Sequence, residues 1–148
     1  MEGTYWAEIL DKSTKVLQMI DLGEKIIYDG VCSLYPEYAL LIISIKKGLT
    51  KNIEDYYKLT MAINLPLIIA ATHLDLCEEE DVDQFIYDLK KLINKNSQYL
   101  PFVIKNEKDV VLASKLLQKE KIIPIFLVIK DLFKLILILD FQCIWKTN

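Results

Sequence analysis

Apolar residues in this chain gather in two kinds of segment: short unbroken runs, and longer stretches where they recur every third or fourth position. Tyr38–Ile45 and Leu65–Ala71 are of the first kind. They do not alternate with polar residues, as a strand covered on both faces requires, because both sides of its pleat meet apolar neighbours. Ile122–Ile129 predicts a last strand of the same kind, and Phe102–Ile104 a short extra one. Lys15–Ile20 reads as a strand running into Asp21. In the second kind of segment, Ile53, Tyr56, Tyr57, Thr60 and Ile63 share one face of a helix between Asn52 and Ile63. Val82, Phe85, Ile86, Leu89, Leu92 and Ile93 form the clearest stripe, ending near Asn94–Asn96. Thr4 predicts the cap of a short helix to about Asp11, with Trp6, Ile9 and Leu10 on its apolar side. A helix after Asp131 closes the chain, and Val110–Gln118 fits helix and strand equally. Strands alternating with amphipathic helices predict an α/β fold in three layers, with a mostly parallel sheet covered on both faces. No repeat or Pro/Gly/Ser-rich linker interrupts it, so residues 1–148 are expected to form a single domain.

Composition narrows the classes of function. A hydrophobic content of 53% with 26% charged residues describes a globular protein. A net charge of −3, with lysines interleaved among acids, gives no electrostatic footprint for nucleic acid or an anionic membrane. Every cation in the chain is lysine, so neither an arginine finger nor a bidentate arginine clamp is available. Cys32, Cys77 and Cys143 are widely spaced and form no Cys-x-x-Cys pair, which argues against a zinc knuckle or a disulfide framework and for reduced thiols in the cytoplasm. Met1–Trp6 lacks the basic start and apolar stretch of a signal peptide. The most apolar segment, Ile122–Leu139, is broken by Pro124, Lys130, Asp131 and Lys134, so no membrane span is expected.

The candidate chemistry concentrates in Leu65–Cys77. Here an apolar run ends abruptly in Thr72-His73-Leu74-Asp75, and the acids Glu78–Asp81 follow at once, suited to a helix N-terminus. That is the layout of a buried parallel strand delivering polar side chains to its carboxyl end, where open α/β sheets bind ligands. An aspartate held there by its own turn can accept two hydrogen bonds from guanine, each worth roughly 1.5–3 kcal/mol when charge-assisted. The plainer reading of the same residues is a strand-to-helix turn, with Thr72 capping it and His73, the only histidine, as an exposed polar residue.

Thr72-His-Leu-Asp75 resembles the GTPase base-recognition motif Asn/Thr-Lys-x-Asp, with His73 where that motif has lysine. Four further segments, ordered along the chain as in that family, are similar to the later part of a translational GTPase G domain. They resemble in particular GTP-binding proteins 1 and 2, a divergent family similar to elongation factor Tu. Glu8–Glu24 is similar to the family's approach to its Asp-x-x-Gly switch, with Lys12-Ser13 before the strand and Ile20-Asp21-Leu22 at its end. Leu34–Ile43 resembles the Leu-Pro-Asp-Tyr lead into the next strand. Ala62-Ile-Asn-Leu-Pro66 resembles the Asn-Leu/Val-Pro before the following one, with Cys77 matching a cysteine after the motif. Ile123-Pro-Ile-Phe126 is similar to the strand leading to the last guanine loop. The resemblance spans roughly residues 7 to 140 and implies a G-domain-like sheet and binding of GTP or GDP with Mg²⁺. It further implies that Thr72, His73 and Asp75 face the base, that Asp21 orients a Mg²⁺-bound water and that Gly23 offers its N–H to a terminal phosphate.

The departures are equally specific. Nothing matches Gly-x-x-x-x-Gly-Lys-Ser/Thr, the loop that cradles phosphates, so the strand carrying it is expected to be missing. Asp21-Leu22-Gly23-Glu24 is one residue short of Asp-x-x-Gly and lacks the histidine that positions the attacking water. Val128–Leu132 stands in place of the family's Ser-x-x-x-Gly loop. Read alone, Asp21 is a turn or cap residue and Gly23 a positive-φ turn. The expectation is therefore a truncated, degenerate relative of a translational GTPase, with weak or lost nucleotide binding and hydrolysis. The alternatives are a non-catalytic pseudo-GTPase that binds a protein partner through an exposed sheet edge, and an incomplete gene product.

Overall fold

The computed structural model describes residues 27–96, 98–117 and 121–128. The helix expected from Thr4, the strand expected at Lys15–Ile20, Asp21, Gly23, Cys143 and the helix expected after Asp131 lie outside these. The chain divides into two units, Met1–Pro36 and Glu37–Asn148. The described part of the first is helix α1, Ile27–Leu34, with Tyr35 beyond its end at a φ of 45°.

The second unit is a four-stranded, all-parallel sheet flanked by helices. Its elements run β1 (Ala39–Ser44), α2 (Lys51–Ala62), β2 (Leu67–Thr72), α3 (Glu79–Asn96), β3 (Leu100–Ile104), α4 (Glu107–Leu117) and β4 (Ile122–Leu127). The strand order is β1-β2-β4-β3. Strands β1 and β2 pair from Ala39↔Leu67 to Ser44↔Thr72, so their carboxyl ends stop level. Alternation across the pleat divides the core in two. Ile43, Leu67, Ile69, Ala71, Ile123 and Ile125 meet Tyr57 of α2 and Phe85, Leu89 and Ile93 of α3. On the opposite face, Ile68, Ala70, Ile122 and Phe126 meet Val110 and Ala113 of α4. These are the three layers of an α/β fold.

Local chemistry sets where each element stops. Helix α2 starts at Thr50, whose hydroxyl accepts the Ile53 N–H at 3.4 Å, satisfying one of the free donors of a first turn. It ends where Asn64 turns left-handed (φ 54°) and the Leu65 N–H returns to the Thr60 carbonyl at 2.9 Å. Asparagine is among the few residues that take this conformation cheaply. The buried Tyr57 hydroxyl donates to the Ile93 carbonyl at 3.5 Å. That carbonyl lies in the last turn of α3, so the bond ties α2 to the end of α3.

Of residues 110–118, equally consistent with either structure by pattern, those up to Leu117 lie in helix α4. Asp109 accepts from the N–H groups of Lys105 (2.9 Å) and Asn106 (3.3 Å), and Asn106 Oδ1 accepts from the Asp109 N–H (3.1 Å). This reciprocal box nucleates α4 against the β preference of Val110 and Val111. Pro124 sits fully buried in β4, a central strand, where proline is unusual. The Val128 N–H bonds the Ala71 carbonyl, so even-numbered nitrogens of this strand face β2. The β2–β4 pairing accordingly begins at Ile125, just past the nitrogen that has no proton. Among the described residues no helix is long and apolar enough to cross a membrane.

Candidate functional site

The site expected from sequence lies where β2 gives out. Strand β2 is buried along its length until Thr72, which is half-buried, and His73, which is exposed. Its apolar run needs both neighbours, β1 and β4, and both helical layers to satisfy it; the first residues that do not are the polar ones at its end. His73 takes the left-handed conformation (φ 65°, ψ 34°) and opens a 3-10 turn at Leu74–Leu76. The Leu76 N–H returns to the His73 carbonyl and the Cys77 N–H to the Leu74 carbonyl, each at 3.2 Å. Leu74 and Cys77 pack against the core, while His73, Asp75 and Leu76 are exposed. The turn is thus anchored by two side chains and presents the others outward.

Thr72 ties the turn to the neighbouring strand. Its hydroxyl lies 3.4 Å from the Ile43 carbonyl oxygen on β1 and 3.0 Å from Nδ1 of His73. On the other side, the Val128–Ala71 hydrogen bond (2.8 Å) sets the end of β4 beside the same turn. Asp75 makes no hydrogen bond or ion pair with another of the described residues. A carboxylate on a fixed turn, with its acceptor capacity unspent, can take up donor groups from a ligand. Of the five residues expected from sequence, Thr72, His73 and Asp75 are brought together; Asp21 and Gly23 lie outside the described residues.

An open groove of about 400 Å³ lies nearby, between the turn after β1 and the start of α3. Leu49, Leu76 and Phe85 line it, with Lys46, Asp81 and Asp88. It contains none of Thr72, His73 and Asp75. The candidate residues expected from sequence lie outside the groove, although Leu76 of the same turn lines it. Among the described residues no group of three or more His, Cys, Asp or Glu is arranged to hold a metal ion. Cys32 and Cys77 are free thiols.

With an all-parallel sheet flanked by helices and a polar turn at a central strand's carboxyl end, the unit has the architecture of the open-sheet α/β proteins. No family model matches the chain. It is 25% identical over 127 residues to GTP-binding protein 1 of Xenopus laevis, covering 82% of this chain and 19% of that protein. To GTP-binding protein 2 of Homo sapiens and of Mus musculus it is 27% identical over 126 residues, covering 80% of this chain and 21% of theirs. The chain is a distant relative of GTP-binding proteins 1 and 2, and spans about a fifth of the length of the curated relatives it matches.

Proposed function

We propose that this chain is a partial, G-domain-like relative of the translational GTPases in which the Thr72–Asp75 turn retains guanine recognition, with nucleotide binding weak and hydrolysis lost. The observation that carries the reading is the exposed Asp75 carboxylate, with no partner among the described residues, on a turn fixed from both β1 and β4. Guanine presents N1–H and N2–H₂ side by side, and adenine lacks that pair of donors. A site built around hydrogen-bond pairing discriminates against ligands that leave its groups unpaired. The names of the relatives agree with this reading. In the same reading Asp21 would orient a Mg²⁺-bound water and Gly23 would meet the terminal phosphate. Residues 1–148 would act as one cytoplasmic, G-domain-like unit. No phosphate-cradling loop is recognisable in the sequence, so base contacts supply most of the affinity. A millimolar complex, about 4 kcal/mol, is the expected ceiling.

The test is titration of the full chain with fluorescent GTP and ATP analogues, alongside phosphate release in the presence of Mg²⁺. GTP should be preferred at millimolar affinity, Asp75→Asn should remove the preference while leaving the circular dichroism spectrum unchanged, and phosphate release should stay at background. Equal binding of both nucleotides by the unmodified chain, or turnover abolished by Asp21→Ala, would overturn the reading. A second reading is a non-catalytic module that binds a protein partner at a sheet edge. It is favoured by Ile42, 47% exposed in the middle of an apolar strand that ends the described sheet.

A further inference from the structure

We propose that Thr72 holds His73 in the tautomer protonated on Nδ1, so that position 73 offers a ligand a hydrogen-bond acceptor, Nε2, on the same turn as the Asp75 carboxylate. The tautomer is a property of the free chain; only the identity of the ligand rests on the function proposed above.

The assignment follows from counting protons. A threonine hydroxyl has one proton to donate and lone pairs to accept with, while a backbone carbonyl oxygen can only accept. Thr72 Oγ1 is within hydrogen-bond distance of two groups, the Ile43 carbonyl oxygen at 3.4 Å and His73 Nδ1 at 3.0 Å. If the hydroxyl donates to Ile43, the shorter contact is completed by Nδ1–H donating to Oγ1, and both bonds form. The reverse assignment, hydroxyl to Nδ1, leaves the Ile43 contact unmade. The relay therefore runs from imidazole to hydroxyl to carbonyl, and bonds in such a chain reinforce one another. It also anchors a non-glycine residue in the left-handed region (φ 65°), a conformation that survives where its surroundings over-determine it.

The consequence is a reversal of polarity at this position. Nε2 keeps its lone pair on an exposed residue, next but one in sequence to a carboxylate that can only accept. A lysine at position 73, as in the motif this turn resembles, would be a cation and a donor. The locked imidazole spends its one N–H on Thr72 and offers a ligand only an acceptor. Two acceptors on one short turn select a ligand edge carrying N–H donors, the chemistry of a guanine Watson–Crick edge, and give nothing to a phosphate.

His73 is the only histidine in the chain, so the test has one signal to read. The full chain, labelled with ¹⁵N, is examined by long-range ¹H–¹⁵N correlation of the imidazole ring in mildly alkaline buffer. The expected spectrum has Nδ1 at a protonated-nitrogen shift and Nε2 at a lone-pair shift. Thr72→Ser should preserve that pattern, and Thr72→Val should return the ring to the predominantly Nε2–H form that free imidazole side chains adopt in water. An Nε2–H ring in the unmodified chain, or an Nδ1–H ring indifferent to Thr72→Val, would overturn the tautomer assignment. If Thr72→Val does not fold, the unmodified spectrum alone is decisive. Guanosine and adenosine, which carry no phosphate, are then titrated. The Nε2 resonance should move with guanosine, not with adenosine, and not with guanosine in Asp75→Asn. A ring that is Nδ1–H yet unmoved by guanosine overturns the ligand class, and the base reading with it, while the tautomer stands.

Discussion

The same unit is built twice in this sheet, with different chemistry at its turn. Strands β1 and β2 lie side by side and stop level at Ser44 and Thr72. Each passes into a one-turn 3-10 segment, Ile45–Lys47 and Leu74–Leu76, and then into a helix. Both turns need one residue at positive φ, but at opposite ends. In the first it is Gly48, after the turn, at φ 66° and ψ −165°, a combination open essentially to glycine alone. In the second it is His73, before the turn, in the ordinary left-handed region, which histidine visits more readily than most residues. The first junction therefore surrenders its side chain to the backbone, and the second keeps one. The charges differ too: Lys46, Lys47 and Lys51 lie in and after the first turn, whereas Asp75 sits in the second and Glu78–Asp81 follow it. Shared geometry is thus a poor guide to which strand end carries a site; what the left-handed residue still presents is the better one.

The largest effects should separate the strands themselves. Ile69 on β2 is fully buried, while its register partner Leu41 on β1 is half-buried against the same core. Ile69→Ala should cost about 2–5 kcal/mol in a urea denaturation curve, and Leu41→Ala clearly less. Equal losses would mean that the two strands are not central and peripheral members of one core. Next come the turns. Nothing lies within 4 Å of a Cβ added at Gly48, so Gly48→Ala measures conformation alone and should cost about 1–3 kcal/mol. His73→Gly relieves a left-handed side chain and loses its bond to Thr72, opposing terms of similar size, so its net effect should fall below about 1 kcal/mol. If His73→Gly proves the more damaging, the imidazole is a structural pillar and its proposed ligand role weakens. The smallest difference concerns the helix starts. Thr50→Ala removes the hydroxyl cap of α2 and should cost about 1 kcal/mol at any ionic strength. Glu80→Gln in the acidic first turn of α3 should cost about 0.3–1 kcal/mol and fade in high salt.

How much of this was legible in the sequence depended on how far local pattern and tertiary packing agree. The β2 run and the Phe85–Leu89–Ile93 stripe could be read directly because one core specifies both. The abrupt apolar-to-polar change that marks Thr72, His73 and Asp75 as site candidates coincides with the end of β2 and the start of the turn. Four features were not legible for identifiable reasons. Helix α1 has the sequence Ile-Tyr-Asp-Gly-Val-Cys-Ser-Leu, weak in helix formers. Strand β3 begins two residues earlier than expected, at Leu100-Pro101, since proline is tolerated at the edge of the described sheet. Helix α4 depends on the Asn106–Asp109 box, a signal present in the sequence but masked by the valines that follow it. The bond from Thr72 to Ile43 joins residues on different strands and has no sequence signature at all.

Strand β3 has one neighbour in the described sheet, β4, and β4 comes last of the four in the chain. During synthesis β1 and β2 can pair as soon as residues 67–72 have emerged, but β3 then waits with its backbone unpaired until residues 122–127 are made. The place β4 will fill, between β2 and β3, stays open in the meantime, with Leu89 and Ile93 of α3 lacking Ile123 and Ile125 beneath them. Long-range closure of this kind is slow, and open strand edges invite other chains. The nascent protein is therefore at its stickiest just before Ile122 is added, and a chain released at that moment carries two strand edges that the finished sheet conceals.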